Sequence, residues 1–351
     1  MLWVDTYKPK TLDAMTFHKD LSNNLKKMAM SENIPHILFY GPSGAGKKTR
    51  ISAFIREIYG SGTEKIRLEH KEFKNNSGKT IEITTLASNY HIELNPSDAG
   101  LNDCLVIQEV IKEIAQFKQI DANAKHSFKI VVLNEVDNLS RNAQAALRRT
   151  MEKYTSSCRL ILCCENPGRV IDPVKSRCLN IRLSAPSNQE VVNVLNEVSR
   201  YERVTLPPVL ATRIAQASHR NIRRAILTLE TLSKVRNPLD NNMDIPLMDW
   251  EQYILTMATE IVQEQSPQCL LKQREKLYDL LGNCIPANII IKQLMKELLK
   301  KCGDEDLKVD AVYWAAYYDH RLREANKEII HIEAFIAKFM ALYKAFLMTL
   351  Y

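Results

Sequence analysis

The chain of 351 residues contains eight cysteines, at positions 104, 158, 163, 164, 178, 269, 284 and 302, and no Cys-x-x-Cys pair among them. A zinc ribbon is built on such pairs, so none is expected. Cys163 and Cys164 sit in an apolar run and read as buried thiols. A long uninterrupted apolar stretch is also missing. The most apolar segment, 329–350, is broken by His331, Glu333, Lys338 and Lys344, so no membrane partner is expected. Neither a secretory signal nor a basic import signal is read, and the expected setting is a reducing compartment, cytosol or nucleus. Low-complexity tracts and internal repeats are absent. With 45% apolar and 25% charged residues, the composition is that of a folded protein of two or three domains. The formal net charge of +7 favours a polyanionic partner, although solvated surface accounts for such an excess equally well.

The most informative stretch is 36–49, HILFYGPSGAGKKT, a short apolar strand, a glycine-rich turn and the start of a helix. Its centre, Gly41, Pro42, Ser43, Gly44, Ala45, Gly46 and Lys47, has the spacing of a phosphate-binding loop. Glycines let the backbone close around an anion, successive N–H groups point at it, and the following helix adds its positive end. Lys47 is placed to reach the β- and γ-phosphates. The next position ordinarily carries a hydroxyl for Mg²⁺. Here it is Lys48, and Thr49 comes one residue late.

A P-loop ATPase also needs an Asp-Glu pair after an apolar strand. The strand is there, FKIVVL at 128–133, but it runs into Asn134-Glu135. Both partners expected for Mg²⁺ are thus changed. Each charge-assisted contact contributes roughly 1.5–3 kcal/mol, so losing one weakens metal binding about ten- to a hundredfold. The expectation is a site that binds ATP or ADP, holds Mg²⁺ weakly or not at all, and hydrolyses poorly. Glu135 is its degenerate catalytic carboxylate.

Strands and helices alternate from the loop to residue 183. Helices are expected at 21–29, 47–59, 105–117 and 140–154, with Ser140 as a cap. Strands are expected at 65–70, 80–85, 90–94, 128–133, 159–164 and 179–183, with a turn at 75–78. Such alternation implies an α/β unit with a parallel sheet and ligands at the carboxyl ends of its strands. The helix at 105–117 is amphipathic through Val106, Val110, Ile114 and Phe117, flanked by Ile107 and Ile111. Two readings of it stand, a core-facing stripe and a face that docks a partner. Beyond Ala185-Pro186-Ser187 the chain is almost all helix: 188–201, 208–218 and 221–234, a polar linker at 236–246, then 250–263, 267–281, 286–301, 306–324 and 327–350. In the last, Phe335, Phe339, Leu342, Tyr343, Phe346 and Leu350 form a stripe suited to a core or to a helix–helix interface.

Taken together, LWVDTYKP at the start, GPSGAGKKT, NPSDAG, LNEVDNLSRNAQAALRRTMEKY, the triplet Ser176-Arg177-Cys178 and HIEAFIAKFMALYK near the end resemble the small subunits of replication factor C, the eukaryotic clamp loader of the AAA+ class. The resemblance covers essentially the whole chain. It implies an α/β P-loop AAA+ domain with a parallel sheet at 1–184, a three-helix lid domain at 185–240 and an all-α collar domain at 241–351. It further implies a heteropentamer with other replication factor C subunits that uses ATP to open a sliding clamp, proliferating cell nuclear antigen, and load it onto primer–template DNA without sequence specificity, in the nucleus. By the same resemblance Val4 and Thr16 border the adenine, residues 41–49 hold phosphates, and Arg223 senses them from the lid. Arg177 serves as an arginine finger in a neighbour's site, a task suited to a planar, permanently charged fork. Ser97 and Arg141 are expected to face DNA, and Ile111, Ile114 and Phe117 the clamp. The family's sensor Asn aligns with Glu165, a carboxylate that would repel a γ-phosphate. Alternatives are a stand-alone P-loop ATPase or nucleotide kinase, which needs an intact Mg²⁺ site, and a scaffold with a vestigial nucleotide site, against which Lys47 and Arg223 weigh.

Overall fold

The strand expected at 128–133 is the middle of a seven-stranded sheet. The structure, a computed structural model, describes residues 1–31, 33–74, 80–116, 128–155, 157–235, 238–241, 243–322, 324 and 327–350. The turn expected at 75–78 and Phe117 lie outside them. The chain divides into two units, Met1–Ile245 and Pro246–Tyr351.

In the first unit the strands are β1 (Ile37–Tyr40), β2 (Arg67–Lys74), β3 (Thr80–Ala87), β4 (His91–Leu94), β5 (Lys129–Leu133), β6 (Cys158–Cys164) and β7 (Leu179–Arg182). Their order across the sheet is β2-β3-β4-β5-β6-β1-β7. The five strands from β4 to β7 pair in parallel, with Val131 opposite Leu160 and Phe39 opposite Cys163. The edge is antiparallel: β2 pairs with β3, and β3 with β4. Strands joined by a short connection must run antiparallel, because a parallel pair needs a crossover. The sheet is therefore parallel in its body and a hairpin at one edge.

Both faces of the body are covered, as parallel strands require. Val131 and Leu133 pack on one side with Leu38, Leu160 and Leu162, under helices α4 (Asp103–Gln116) and α5 (Arg141–Lys153). Ile130 and Val132 pack on the other with Ile37, Phe39 and Ile161, under α2 (Lys19–Met30) and α3 (Lys47–Tyr59). Burial pushes the Cys163 thiol up to about 11 and the Cys164 thiol up to about 12, as expected of buried thiols. All eight cysteines are free.

Two of the residues expected to contact the clamp, Ile111 and Ile114, are buried. Ile111 is 1% exposed and Ile114 3%, both packed with Val106, Ile107 and Val110 against the sheet. The apolar arc of α4 is core, so these two side chains present no surface to a partner.

The N-terminal segment carries one helical turn that the sequence did not signal, α1 (Trp3–Thr6). After the short helix α6 (Asp172–Lys175) and β7 come three helices, α7 (Asn188–Tyr201), α8 (Pro208–Ala217) and α9 (Ile222–Val235). Ser187 and Glu190 form a capping box that starts α7. Trp3 enters the core of this three-helix set with Val191, Leu195, Leu210, Ile214, Ala225 and Leu229, and its backbone N–H donates to Glu230 at 3.0 Å.

The second unit is helical throughout: α10 (Asp249–Gln263), α11 (Pro267–Gly282), α12 (Ala287–Lys301), α13 (Glu305–Leu322) and α14 (Glu328–Leu350). Its core joins Ile254, Met257, Leu277, Ile290, Leu294, Phe335 and Phe339, with Leu342, Tyr343 and Phe346 packed at its margin. No helix among the described residues is long and apolar enough to cross a membrane.

Candidate nucleotide-binding site

The turn between β1 and α3 has the shape its glycines foretell. Gly44 and Gly46 adopt φ of 74° and 81°, a region that side chains disfavour. A Cβ on Gly41 would lie 2.0 Å from the Leu183 carbonyl oxygen, and one on Gly44 1.9 Å from the Asn221 side chain. Neither glycine can be replaced without moving what faces it. The second of these neighbours belongs to the start of α9, whose Ile222 N–H donates to the Gly44 carbonyl at 3.3 Å. The loop and the three-helix set thus meet at Gly44.

Beside the loop opens a cavity of about 470 Å³, a size suited to a nucleotide. Its walls come from four places: Val4, Tyr7 and Lys8 of the N-terminal segment, Met15, Thr16 and Phe17, the loop residues Gly44, Gly46, Lys48 and Thr49, and Val194, Tyr201, Ile222 and Arg223 of the helical set. Val4, Thr16, Lys48, Thr49 and Arg223 therefore surround one space, with Gly41, Pro42, Ser43, Ala45 and Lys47 completing the loop at its end. Tyr7 and Tyr201, not foreseen from the sequence, stack with ring centroids 5.3 Å apart, and the Tyr7 hydroxyl donates to Glu202 at 2.7 Å.

Lys47 donates to the carbonyls of Gly41 at 2.6 Å and Pro42 at 3.0 Å, and its Nζ lies 3.8 Å from a Glu165 carboxylate oxygen. The Glu165 carboxylate is thus within reach of the loop lysine itself. Asp137 orders the end of β6 by accepting from the backbone N–H groups of Glu165 and Asn166, at 3.1 and 3.0 Å.

The two positions where Mg²⁺ partners were expected carry Asn134 and Lys48. Asn134 is 2% exposed, and its amide nitrogen donates to Glu93 on β4 at 2.7 Å. A carboxylate only accepts, which fixes the amide with its NH₂ toward Glu93. The other atom, Oδ1, is buried without a hydrogen-bond partner. Lys48 is exposed at the cavity wall where a hydroxyl is needed. Among the described residues no group of three or more His, Cys, Asp and Glu is disposed to hold a metal. Glu135 follows Asn134 in a left-handed conformation, φ 54°, and accepts from Asn138 at 3.3 Å.

Arg177 lines no part of this cavity. It follows α6, and its guanidinium is held from two sides. Glu152 on α5 accepts from Nε at 2.7 Å and lies 2.6 Å from the second nitrogen, while the Pro173 carbonyl accepts from the third at 2.8 Å. The hydrogen bonds from Arg177 hold the Glu152 carboxyl below its ordinary range. This is the planar, two-point grip that suits arginine to fixed positions. Glu152 has no sequence motif of its own; the signal is its place one turn after Arg148 in a basic helix.

Ser97 is half-buried in a 3₁₀ turn, and Arg141 is exposed at the first position of α5. The start of α4, where Asp103 accepts from the Cys104 N–H at 2.7 Å, is linked to the start of α5. Ser140 accepts from Ala143 N–H, and the buried Asp103 accepts from both the backbone N–H and the hydroxyl of Ser140. Asp103 was not singled out by sequence.

Known proteins match this chain from end to end. Residues 17–187 match the family "DNA polymerase III, delta subunit", residues 193–234 the "RCF1/5-like, AAA+ ATPase lid domain", and residues 250–347 "Replication factor C subunit 3, C-terminal domain". Replication factor C subunit 3 of Arabidopsis thaliana is 51% identical over 352 residues, covering 99% of each chain. That of Homo sapiens is 50% identical over 346 residues, covering 99% of this chain and 97% of the other. Replication factor C subunit 5 of Schizosaccharomyces pombe is 43% identical, covering 98% and 97%. Among solved structures, a point variant of Thermotoga maritima RuvB superposes with a TM-score of 0.53 at 16% identity, covering 85% of this chain and 91% of that one. At that identity the likeness shows the fold alone, an AAA+ P-loop fold.

Proposed function

The chain belongs to the replication factor C subunit 3 family, and from that premise we propose that it is one small subunit of a heteropentameric clamp loader. The assembly uses ATP to open a ring-shaped sliding clamp and places it on primer–template DNA in the nucleus. Its three parts are an AAA+ domain at 1–184, a lid at 185–240 and a collar at 241–351.

Within that assembly the subunit's own site binds ATP or ADP without hydrolysing it. The loop from Gly41 to Thr49 takes the phosphates, Val4 and Thr16 border the base, and Arg223 reaches in from the lid. Three features support the absence of hydrolysis. Lys48 occupies the hydroxyl position, Asn134 is bound to Glu93, and Glu165 brings negative charge to within 3.8 Å of Lys47. Metal is therefore weak or absent, and Glu135 has no ordered metal to work with. Arg177 acts on a neighbouring subunit's ATP. Ser97 and Arg141 meet DNA phosphates, contacts that carry no sequence information and weaken with salt.

The observation that carries this reading is the separation of the two cationic devices. Lys47 turns into its own loop, whereas Arg177 stands outside the cavity, gripped by Glu152 and the Pro173 carbonyl. The test is the DNA-stimulated ATPase of the reconstituted complex. Arg177→Ala is expected to lower it by about 10³-fold at the site it serves, and Lys47→Ala by far less. The reverse ranking overturns the assignment.

A further inference from the structure

Arg50 is the largest fully buried side chain among the described residues, at 0% exposure, one residue beyond the phosphate-binding loop on α3. Its guanidinium meets no carboxylate within ion-pair distance among the described residues. Every acceptor it has is neutral: Ser22 Oγ at 2.9 Å and the backbone carbonyls of Phe17 at 3.1 Å and His18 at 3.4 Å. Its Nε has no partner. Burial alone pulls its pKa down to about 10. An uncompensated buried cation is costly, and Phe54 and Ile58, in the same helical phase, show that an apolar side chain suits this face. The charge therefore needs a reason.

Its partners supply one. All three acceptors lie in the segment 17–22, whose preceding residues Met15 and Thr16, with Phe17, form one wall of the nucleotide cavity. The Phe17 ring lies between the two elements. A Cβ on Gly46 would be 3.4 Å from it, and the Arg50 guanidinium carbon is 5.7 Å from its centroid. The next residue, His18, adopts φ 53° and sets its Nε2 3.2 Å from the carbonyl oxygen of Ser184, just before the helical set. One side chain on the phosphate helix thus ties down the wall segment and, through His18, a contact to the lid connection.

We infer that Arg50 is a positioning residue for the base of the bound nucleotide, holding residues 16–18 in the shape that receives it. The inference rests on the nucleotide-site reading above. It predicts a division of labour: removing the guanidinium disturbs the base end and leaves the phosphate end as it was.

The experiment compares two ligands on the intact 351-residue chain, ATP and inorganic tripolyphosphate, which has the phosphates and no base. Binding is followed by displacement of a fluorescent adenine nucleotide, beside thermal unfolding of each variant. Arg50→Met is expected to weaken ATP by roughly tenfold or more, with tripolyphosphate changed by less than about twofold. Arg50→Lys, which keeps the charge and some donors, should fall between; it carries the same comparison if Arg50→Met does not fold. Equal losses for both ligands overturn the inference, because they mark a charge acting on phosphates or a general loss of structure. Unchanged ATP affinity overturns it as well. A wild-type chain that binds neither ligand overturns the nucleotide site itself, a different failure from a wild-type chain that binds ATP and a variant that binds it equally well.

Discussion

Asn134 differs from an aspartate by one terminal group, and Glu93 is the reason the difference matters. With the amide in place, a donor faces the Glu93 carboxylate at 2.7 Å. With aspartate, two carboxylates would meet at that distance, and one of them would hold a proton. Asn134→Asp is therefore not a simple repair of the metal site. It should cost about 1–3 kcal/mol of stability at pH 7.5. The pair's pKa is raised in the folded state, so the cost should shrink as pH falls toward 5. Denaturant unfolding across that range checks it, and a variant as stable as wild type at pH 7.5 counts against the Glu93 contact. The loop, Lys48 and Asn134 were all legible in the sequence, because a phosphate site is written in consecutive residues. Glu93 was not, since it reaches Asn134 only through the pairing of β4 with β5. Glu152 beside Arg177, and Arg50 beneath Phe17, were hidden for the same reason: their partners are set by packing. Each left only a faint trace: Glu152 one turn after Arg148, and Arg50 as a charged residue in phase with Phe54 and Ile58.

At the scale of elements, periodicity named the helices and strands well but did not say which way they face. The stripe of α4 has the same spacing whether it meets the sheet or a partner. The structure assigns Val106, Ile107, Val110, Ile111 and Ile114 together to the core, an apolar arc wide enough to lie flat on the strands. Ile111→Ala should accordingly cost about 2–5 kcal/mol in unfolding free energy, as a cavity does. A change near zero would return Ile111 to the surface. The hairpin of β2 and β3 was visible as two strands around a turn. Its antiparallel junction with β4 was missed: strand–helix alternation implied a parallel sheet, although the short link from Ala87 to His91 is too brief for a crossover.

For the whole molecule, a division into an α/β part and a helical remainder followed from the change of rhythm after Pro186. The N-terminal segment broke that linear picture. Trp3 comes first in the chain yet is part of a core built by residues about 190 to 230 positions later. Global stability should also depend on acid through buried histidines: burial lowers the pKa of both His36 and His91, with the larger shift at His36. His36 is 9% exposed, its Nδ1 accepts from the Leu160 N–H at 3.0 Å, and burial with the nearby Arg159 charge lowers its pKa from 6.5 to about 4. The unfolded chain binds this proton first, so stability is full above pH 6.5 and falls as the pH drops to 4, by up to about 3 kcal/mol. His36→Gln, which keeps an acceptor for Leu160, should flatten that part of the profile, and an equally steep profile would assign it elsewhere. The position of Trp3 has an optical consequence. The chain has three tryptophans, and the other two, Trp250 and Trp314, pack in the second unit. Replacing those two with phenylalanine leaves one indole, 6% exposed, in the core of the helices that carry Arg223. Its emission wavelength and quenching then report on that core alone, so the protein carries its own fluorophore for following what nucleotide does to the lid.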